Sequence, residues 1–401
     1  MKLIFLNRYF HPDISATSQI LGDLAIDQAR RGREVHVITS RQLYEDPAAG
    51  LPAVAEHQGV RIHRVWTSRF GRASLPGRAV DYATFYLAAA AKLASLADKG
   101  SVVIAKSDPP LISVPAACVA LLKGSVLINW QQDIFPEIAQ RLGVRLLSGP
   151  AGSLARALRS FSARRAKVNV VLGARMAQVL LEAAGPGIGV QVIENWADGA
   201  LVRPVARGAN PLRGAWGLAD RFVVGYSGNM GRAHEFDTLL DAAELLRGEA
   251  RIAFLFVGSG RQKEWIGREA ARRGLTSFVF QPYQPREMLA FSLSVADAHL
   301  VTLQRELEGL IVPSKFYGIA AAGRPTLFVG DTDGEIARTV VREGCGVAVA
   351  TGDSAALARS IRQLREHPDE ANGMGLRARA AFERNWDLPI ALRRWDDLLQ
   401  V

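Results

Sequence analysis

Two short segments in the second half of the 401-residue chain carry residue types at a spacing that suits an anionic phosphate. The first is Ser227-Gly228-Asn229-Met230-Gly231-Arg232-Ala233-His234, set between the apolar run 222–226 and the amphipathic stretch 236–246. Glycines at a strand-to-helix turn expose backbone N–H groups at a helix N-terminus, where negative charge is favoured. Arg232 adds a charge-assisted donor to that turn. The second is Pro313-Ser314-Lys315-Phe316-Tyr317, which opens another helical stretch ending at Gly323-Arg324-Pro325. A lysine in the first turn of a helix opposes the macrodipole, and a bound anion offsets that cost. Gly258-Ser259-Gly260 is, by itself, a tight turn between a strand and a helix.

Other chemistries are disfavoured by what is missing. After the first apolar run, the turn Asn7-Arg8-Tyr9-Phe10-His11-Pro12-Asp13 has none of the glycines of a dinucleotide fingerprint. The second run ends Thr39-Ser40-Arg41, without the acid that would hold a ribose hydroxyl, and no Walker A sequence occurs. Asp331-Thr332-Asp333 follows an apolar run and precedes Gly334-Glu335, which suits a turn and helix cap better than a metal site. No grouping of His, Cys, Asp and Glu has metal-ligand spacing. Two cysteines, Cys118 and Cys345, build no disulfide framework, so a reducing cytoplasm is the expectation. The opening residues are too short an apolar run for a signal peptide, and the longest apolar stretch, 111–122, is too short for a bilayer span, so a soluble chain is expected.

The elements that must position these residues alternate along the whole chain. Short β-branched runs are expected as strands at 2–6, 34–39, 61–65, 102–105, 126–128, 169–172 and 191–193, then at 222–226, 252–257, 277–280, 299–302, 326–329 and 347–350. Helix-like segments at 15–31, 83–97, 236–246, 262–273 and 354–366 lie between them. Alternating β and α units imply an α/β fold with parallel sheets covered on both faces. Thirteen strands suit two sheets of six or seven. The Gly-, Pro- and Ala-rich stretch 195–211 is the best seam between them. The segment 386–401 has no strand after it and reads as a closing helix packed outside its own βα unit.

The chain carries 49 Lys+Arg against 39 Asp+Glu, a net charge of +10, and residues 1–200 hold +8 of it. Two windows lack acids. Residues 57–80 contain Arg61, Arg64, Arg69, Arg72 and Arg78 beside Trp66 and Phe70, and residues 138–181 contain Arg141, Arg145, Arg156, Arg159, Arg164, Arg165, Lys167 and Arg175. Clustered cations with aromatics suit a polyanion, whether nucleic acid, anionic lipid or phosphorylated ligand, and equally suit a solvated face.

A specific resemblance joins these features. GNMGRAHEFDTLLDAA, then LFVGSGRQKE, then VADAHLVTL, EGLIVPSKFYGIAAAGRPTLFVGD and GEIA resemble the retaining GT-B glycosyltransferases of family four, closest to bacterial enzymes that build O-antigen, capsule and exopolysaccharide. RYFHPDISATSQILGDLA, SDPPL, NWQQDIFPE and VIENWAD extend the resemblance through the first half. It implies two facing Rossmann-like domains with parallel sheets, at 1–197 and 198–385, with a C-terminal helix at 386–401 crossing back to the first.

The resemblance further implies transfer of a sugar from a UDP- or GDP-sugar, with retention and without a metal or other cofactor. By position, Gly228, Asn229, Gly231, Arg232, Ser314 and Lys315 would bind the donor diphosphate, and Arg232 and Lys315 would stabilise its developing charge. Gln281, Pro282 and Tyr283 would lie at the nucleobase, beside Gly258, Gly260 and Arg261. On the acceptor side, residues 10–18 would supply His11, Ser15, Thr17 and Ser18, with packing beside Pro12 an equal reading for His11. Asp133 would orient the sugar or the acceptor, or else serve as a strand-end turn residue. The family commonly holds the donor ribose with a Glu where this chain has Gly318, and Glu308 could supply a carboxylate from a differently shaped loop. The implied acceptor is a polyprenyl-diphosphate-linked or other surface glycan, with peripheral attachment to the cytoplasmic face of an anionic membrane. A GT-B sugar-nucleotide epimerase and a catalytically silent sugar-nucleotide-binding subunit are the alternatives, and nucleic acid is not expected.

Overall fold

A computed structural model describes residues 1–71 and 75–400; Arg72 of the first basic window and Val401 of the closing segment lie outside the described residues. The chain divides into two compact units, one of Met1–Glu194 with the chain from Leu392, the other of Asn195–Ala391.

The first unit is built on an eight-stranded sheet: β1 (Lys2–Leu6), β2 (Glu34–Ser40), β3 (Val54–His57), β4 (Val60–Val65), β5 (Ser101–Lys106), β6 (Val126–Trp130), β7 (Val168–Val171) and β8 (Val190–Val192). Their order is β3-β4-β2-β1-β5-β6-β7-β8, parallel except for β3. Central strands are continuous apolar runs because helices cover both faces: β1 is buried from Leu3 onward, and Phe85, Ala89 and Leu93 of the Leu75–Leu96 helix pack over it.

The second unit has six parallel strands: β9 (Phe222–Ser227), β10 (Ile252–Val257), β11 (Phe278–Gln281), β12 (Ala298–Thr302), β13 (Thr326–Gly330) and β14 (Gly346–Ala350), in the order β11-β10-β9-β12-β13-β14. Every residue of β10, β12 and β13 is buried. Phe236 and Phe256 lie 5.0 and 5.9 Å, ring to ring, from Tyr226 in the core beneath the glycine turns.

The α/β architecture with two parallel-dominated sheets is the expected one, and three details differ. Strand β3 was not expected. It is a short, half-exposed edge strand joined to β4 through Gln58 and Gly59 at φ 47° and 80°, a two-residue turn whose twist suits an antiparallel pair. The helix expected at 83–97 starts earlier, at Leu75. The closing segment joins the first unit from Leu392 rather than Trp386, because Trp386 packs on Phe316 and Tyr317 at ring separations of 5.1 and 5.9 Å. Beyond that point Trp395 lies 4.6 Å from Trp130, and Arg394 pairs with Glu194 at 2.6 Å.

Each sheet has a position where chain order reverses direction, between β1 and β5 in the first unit and between β9 and β12 in the second. The carboxyl ends of strands flanking such a position form a crevice, the general ligand site of open parallel sheets.

Candidate functional site

The second-unit crevice collects the phosphate-like segments. The turn Gly228–Arg232 leaves the end of β9, and Lys315 opens the Lys315–Ala321 helix after β12. Gly228 and Gly258 have φ of 121° and 134°, which only glycine adopts without strain. A side chain at Gly258 would strike the Gly228 carbonyl, and one at Gly260 would come within 2.5 Å of Met230 N. The two turns therefore interlock. Met230 N donates to Ser259 O at 2.7 Å, Gly258 N donates to Gln281 O at 3.0 Å, and Tyr226 Oη donates to Asn229 O at 2.8 Å. Gln262 Nε2 ties the far side, donating to Gly231 O at 2.6 Å and His234 O at 2.9 Å. The backbone is preorganised before any ligand arrives.

Lys315 reaches into this arrangement. Its Nζ donates to His234 Nε2 at 2.9 Å and lies 4.9 Å from the centre of the Tyr226 ring. Burial alone brings its ammonium down to about 7. The His234 ring donates from Nδ1 to the Thr302 carbonyl at 2.7 Å, and burial followed by the Lys315 charge holds it down to about 3. Arg232 is exposed on the loop, whose carbonyl accepts from Gln304 Nε2 at 2.9 Å. Gln281 ends β11 and Pro282 follows it, Tyr283 is 46% exposed beside Gly258, Arg261 is exposed on the adjoining turn, and Ser314 is the residue before the Lys315 helix.

Glu308 is committed elsewhere. Its Oε1 accepts from Glu335 N at 2.9 Å and its other oxygen abuts Gly334, so the carboxylate caps the Glu335–Arg342 helix. Burial raises it above the usual range against those backbone hydrogen bonds. At Gly318 a Cβ would meet only Leu293 Cδ1, at 3.5 Å. The Asp331 turn forms as expected, with Asp331 Oδ1 accepting from Asp333 N at 3.0 Å.

The first-unit crevice gathers the acceptor-side candidates. Asp13 organises the loop after β1: its carboxylate accepts from Ser15 N at 2.8 Å and from Ser15 Oγ, while Ser18 Oγ donates to Asp13 O at 2.9 Å. Thr17 Oγ1 donates to Asp108 Oδ2 at 3.3 Å. Ser15, Thr17 and Ser18 thus spend hydrogen bonds on shaping the loop. His11 is exposed and stacks on His57 with 3.6 Å between ring centres, and its pKa is lowered by burial first, then by His57 and Arg64.

Asp133 follows β6. Its Oδ1 is enclosed and has no hydrogen-bond partner among the described residues, and burial pushes the carboxyl up to about 7 against a lowering hydrogen bond with Ser107. It lines a small cavity with Ser107, Asn129, Gln131, Phe135 and Arg159, with room for about one water. Lys106, fully buried with Nζ 3.6 Å over the Trp130 ring, has its pKa lowered well below the usual value by burial, against the attraction of Asp108 and Asp133.

Sequence reasoning missed Lys106 and the role of His234. A lysine ending an otherwise apolar strand beside a switch point was the available signal for Lys106. His234 lay inside the quoted motif, but its partner is eighty-one residues away. Two window cations are internal ties: Arg64 donates to His11 O at 2.7 Å, and Arg159 pairs with Glu137 at 3.1 Å.

Glycine turns and a lysine over the switch point of a parallel sheet suit an anionic ligand. Residues 16–196 match the model "Glycosyl transferase 4-like domain", and residues 221–367 match "Glycosyl transferases group 1". The chain belongs to this family of glycosyltransferases and has the GT-B fold. It is 29% identical to WbjE of Pseudomonas aeruginosa, named as a glycosyltransferase, over 76% of this chain and 75% of that one. It is 26% identical to WcaI of Escherichia coli K12, named as a colanic acid biosynthesis glycosyl transferase, over 98% of both. The solved structure of Anabaena HepE with UDP-glucose shares the fold, with a TM-score of 0.75 at 17% identity over 100% of this chain and 99% of that one.

Proposed function

We propose that this glycosyltransferase is retaining and metal-independent, and moves a hexosyl or N-acetylhexosaminyl group from a UDP- or GDP-sugar to a lipid-linked or other surface-glycan acceptor. The observation that carries the reading is Lys315, a half-buried lysine set over the glycine turns at the β9/β12 switch point, where desolvation alone moves its pKa. A diphosphate seated there would supply the missing anion. As the bond between anomeric carbon and phosphate oxygen breaks, negative charge grows on the leaving diphosphate, and Lys315 and Arg232 would stabilise it in place of a metal. Gly228, Asn229, Gly231 and Ser314 would donate to the phosphates, and Gln281, Pro282, Tyr283, Gly258 and Arg261 would frame the base. Asp133 would orient the reacting sugar or acceptor, with His11 and the Ser15–Ser18 loop beside the acceptor. UDP-glucose in the HepE structure supports a nucleotide-sugar donor for this fold.

Among the described residues no helix is long and apolar enough to cross a membrane. Trp66 and Phe70, 61% and 65% exposed beside Arg61 and Arg69, would instead rest on anionic headgroups at the cytoplasmic face, each placed cation adding about 1 kcal/mol. The test is incubation with a panel of nucleotide sugars and a polyprenyl-diphosphate acceptor, with and without a chelator. Acceptor-dependent release of nucleoside diphosphate, unaffected by chelation and with the donor's anomeric configuration in the product, is expected. Donor isomerisation without transfer would instead establish the epimerase.

A further inference from the structure

Lys315 is held by a relay that donor binding does not by itself require. The Thr302 carbonyl can only accept, so its 2.7 Å contact fixes the His234 proton on Nδ1. The half-buried, neutral ring then offers Nε2 as a lone pair to Lys315 Nζ at 2.9 Å. Tyr226 closes the other side, its hydroxyl already spent on Asn229 O. Gly228 leaves room for the lysine stem, since a Cβ there would come within 3.2 Å of Lys315 Cε. Of the carboxylates on neighbouring loops, Glu235 Oε1 accepts from Thr238 N at 2.7 Å while its buried Oε2 has no hydrogen-bond partner among the described residues and burial raises its pKa, and Glu308 caps Glu335. Arg232 shares the loop with His234, and Tyr283 lies beyond Tyr226.

We propose that His234 is a positioning residue for Lys315: locked as the Nδ1–H tautomer by Thr302, it aims the lysine nitrogen at the glycine turn, so that a donor diphosphate binds there together with a proton. The inference rests on the reading of Lys315 as a diphosphate ligand. Near pH 7 a fraction of Lys315 is the free amine, because burial has brought it down to about 7. A diphosphate beside it favours the ammonium. That fraction takes a proton from solvent onto Nζ, and no bond of the donor changes. Below the free-protein value affinity is flat. Above it affinity falls by up to about tenfold per pH unit.

The experiment is calorimetric titration of the full chain with UDP-glucose and GDP-mannose, in buffers of different protonation enthalpy, from about pH 6 to about pH 9. The expected result is net proton uptake that grows above neutrality and a matching loss of affinity. His234→Phe keeps the ring volume beside Tyr226 but removes the lone pair. Affinity at neutral pH should fall about tenfold, and the decline should begin about one pH unit lower. His234→Gln, whose amide can donate to Thr302 O and accept from Lys315, should restore both. Binding without proton uptake in the wild-type chain overturns the proposal, and that arm needs no variant to fold. So does a His234→Phe profile that coincides with wild type. If neither sugar binds, or Lys315→Ala binds as tightly as wild type, the donor-site reading itself falls.

Discussion

At the scale of single residues, the site holds charges that the fold alone would not choose. Lys315 keeps fewer protons in the native state than in the unfolded chain between about 7 and 10.5, so its contribution to stability rises with pH across that window. Lys315→Met should raise the melting temperature at pH 6 in a thermal scan and flatten this dependence, while losing turnover. Asp133 has the opposite sign. Its folded value, about 7 against an ordinary 3.8, makes native stability fall as pH rises between them. Asp133→Asn should therefore stabilise the protein above pH 7, and steady-state kinetics should show a lower kcat with the donor KM little changed. The residues that meet at the second unit's switch point were legible as a candidate site because Gly, Arg and Lys sat at the ends of recognisable elements. Glu308 shows the limit: its carboxylate was legible as a candidate, but the helix cap it serves depends on Gly334 and Glu335, brought to it only by the fold.

At the scale of elements, the interlocked turns after β9 and β10 are the part least tolerant of change. Gly258→Ala adds a Cβ where the Gly228 carbonyl lies and strains a φ of 134°. Chemical denaturation should show a loss of about 1–3 kcal/mol, with a raised donor KM. Glu308→Ala should cost about 0.5–2 kcal/mol through the lost cap of the Glu335–Arg342 helix. Buried parallel strands were legible because unbroken apolar runs such as Ile252–Val257 have one good use in an α/β fold. Strand β3 was not, because Val-Ala-Glu-His on a sheet edge carries too little alternation to stand out from a loop, and its pairing depends on the Gln58-Gly59 turn.

At the scale of the whole molecule, each unit has candidate residues beside the switch point of its own sheet, the loop after β1 in the first and the Gly228–Arg232 turn in the second, and the chain returns to the first unit at Leu392. Trp395 is fully buried there, and Trp395→Ala should cost about 3–5 kcal/mol in a denaturant titration. The first-unit charge excess is thinner than composition suggested, because Arg64 and Arg159 are internal ties. The exposed Trp66 and Phe70 remain, and replacing both with Ala should reduce co-sedimentation with anionic vesicles while leaving turnover on a soluble acceptor intact. The most direct test of the donor-site reading is release of nucleoside diphosphate by Lys315→Ala, compared with wild type at equal folded concentration and saturating donor. A fall of about 10²–10³-fold in kcat is expected if Lys315 stabilises the leaving diphosphate. Turnover equal to wild type would contradict it.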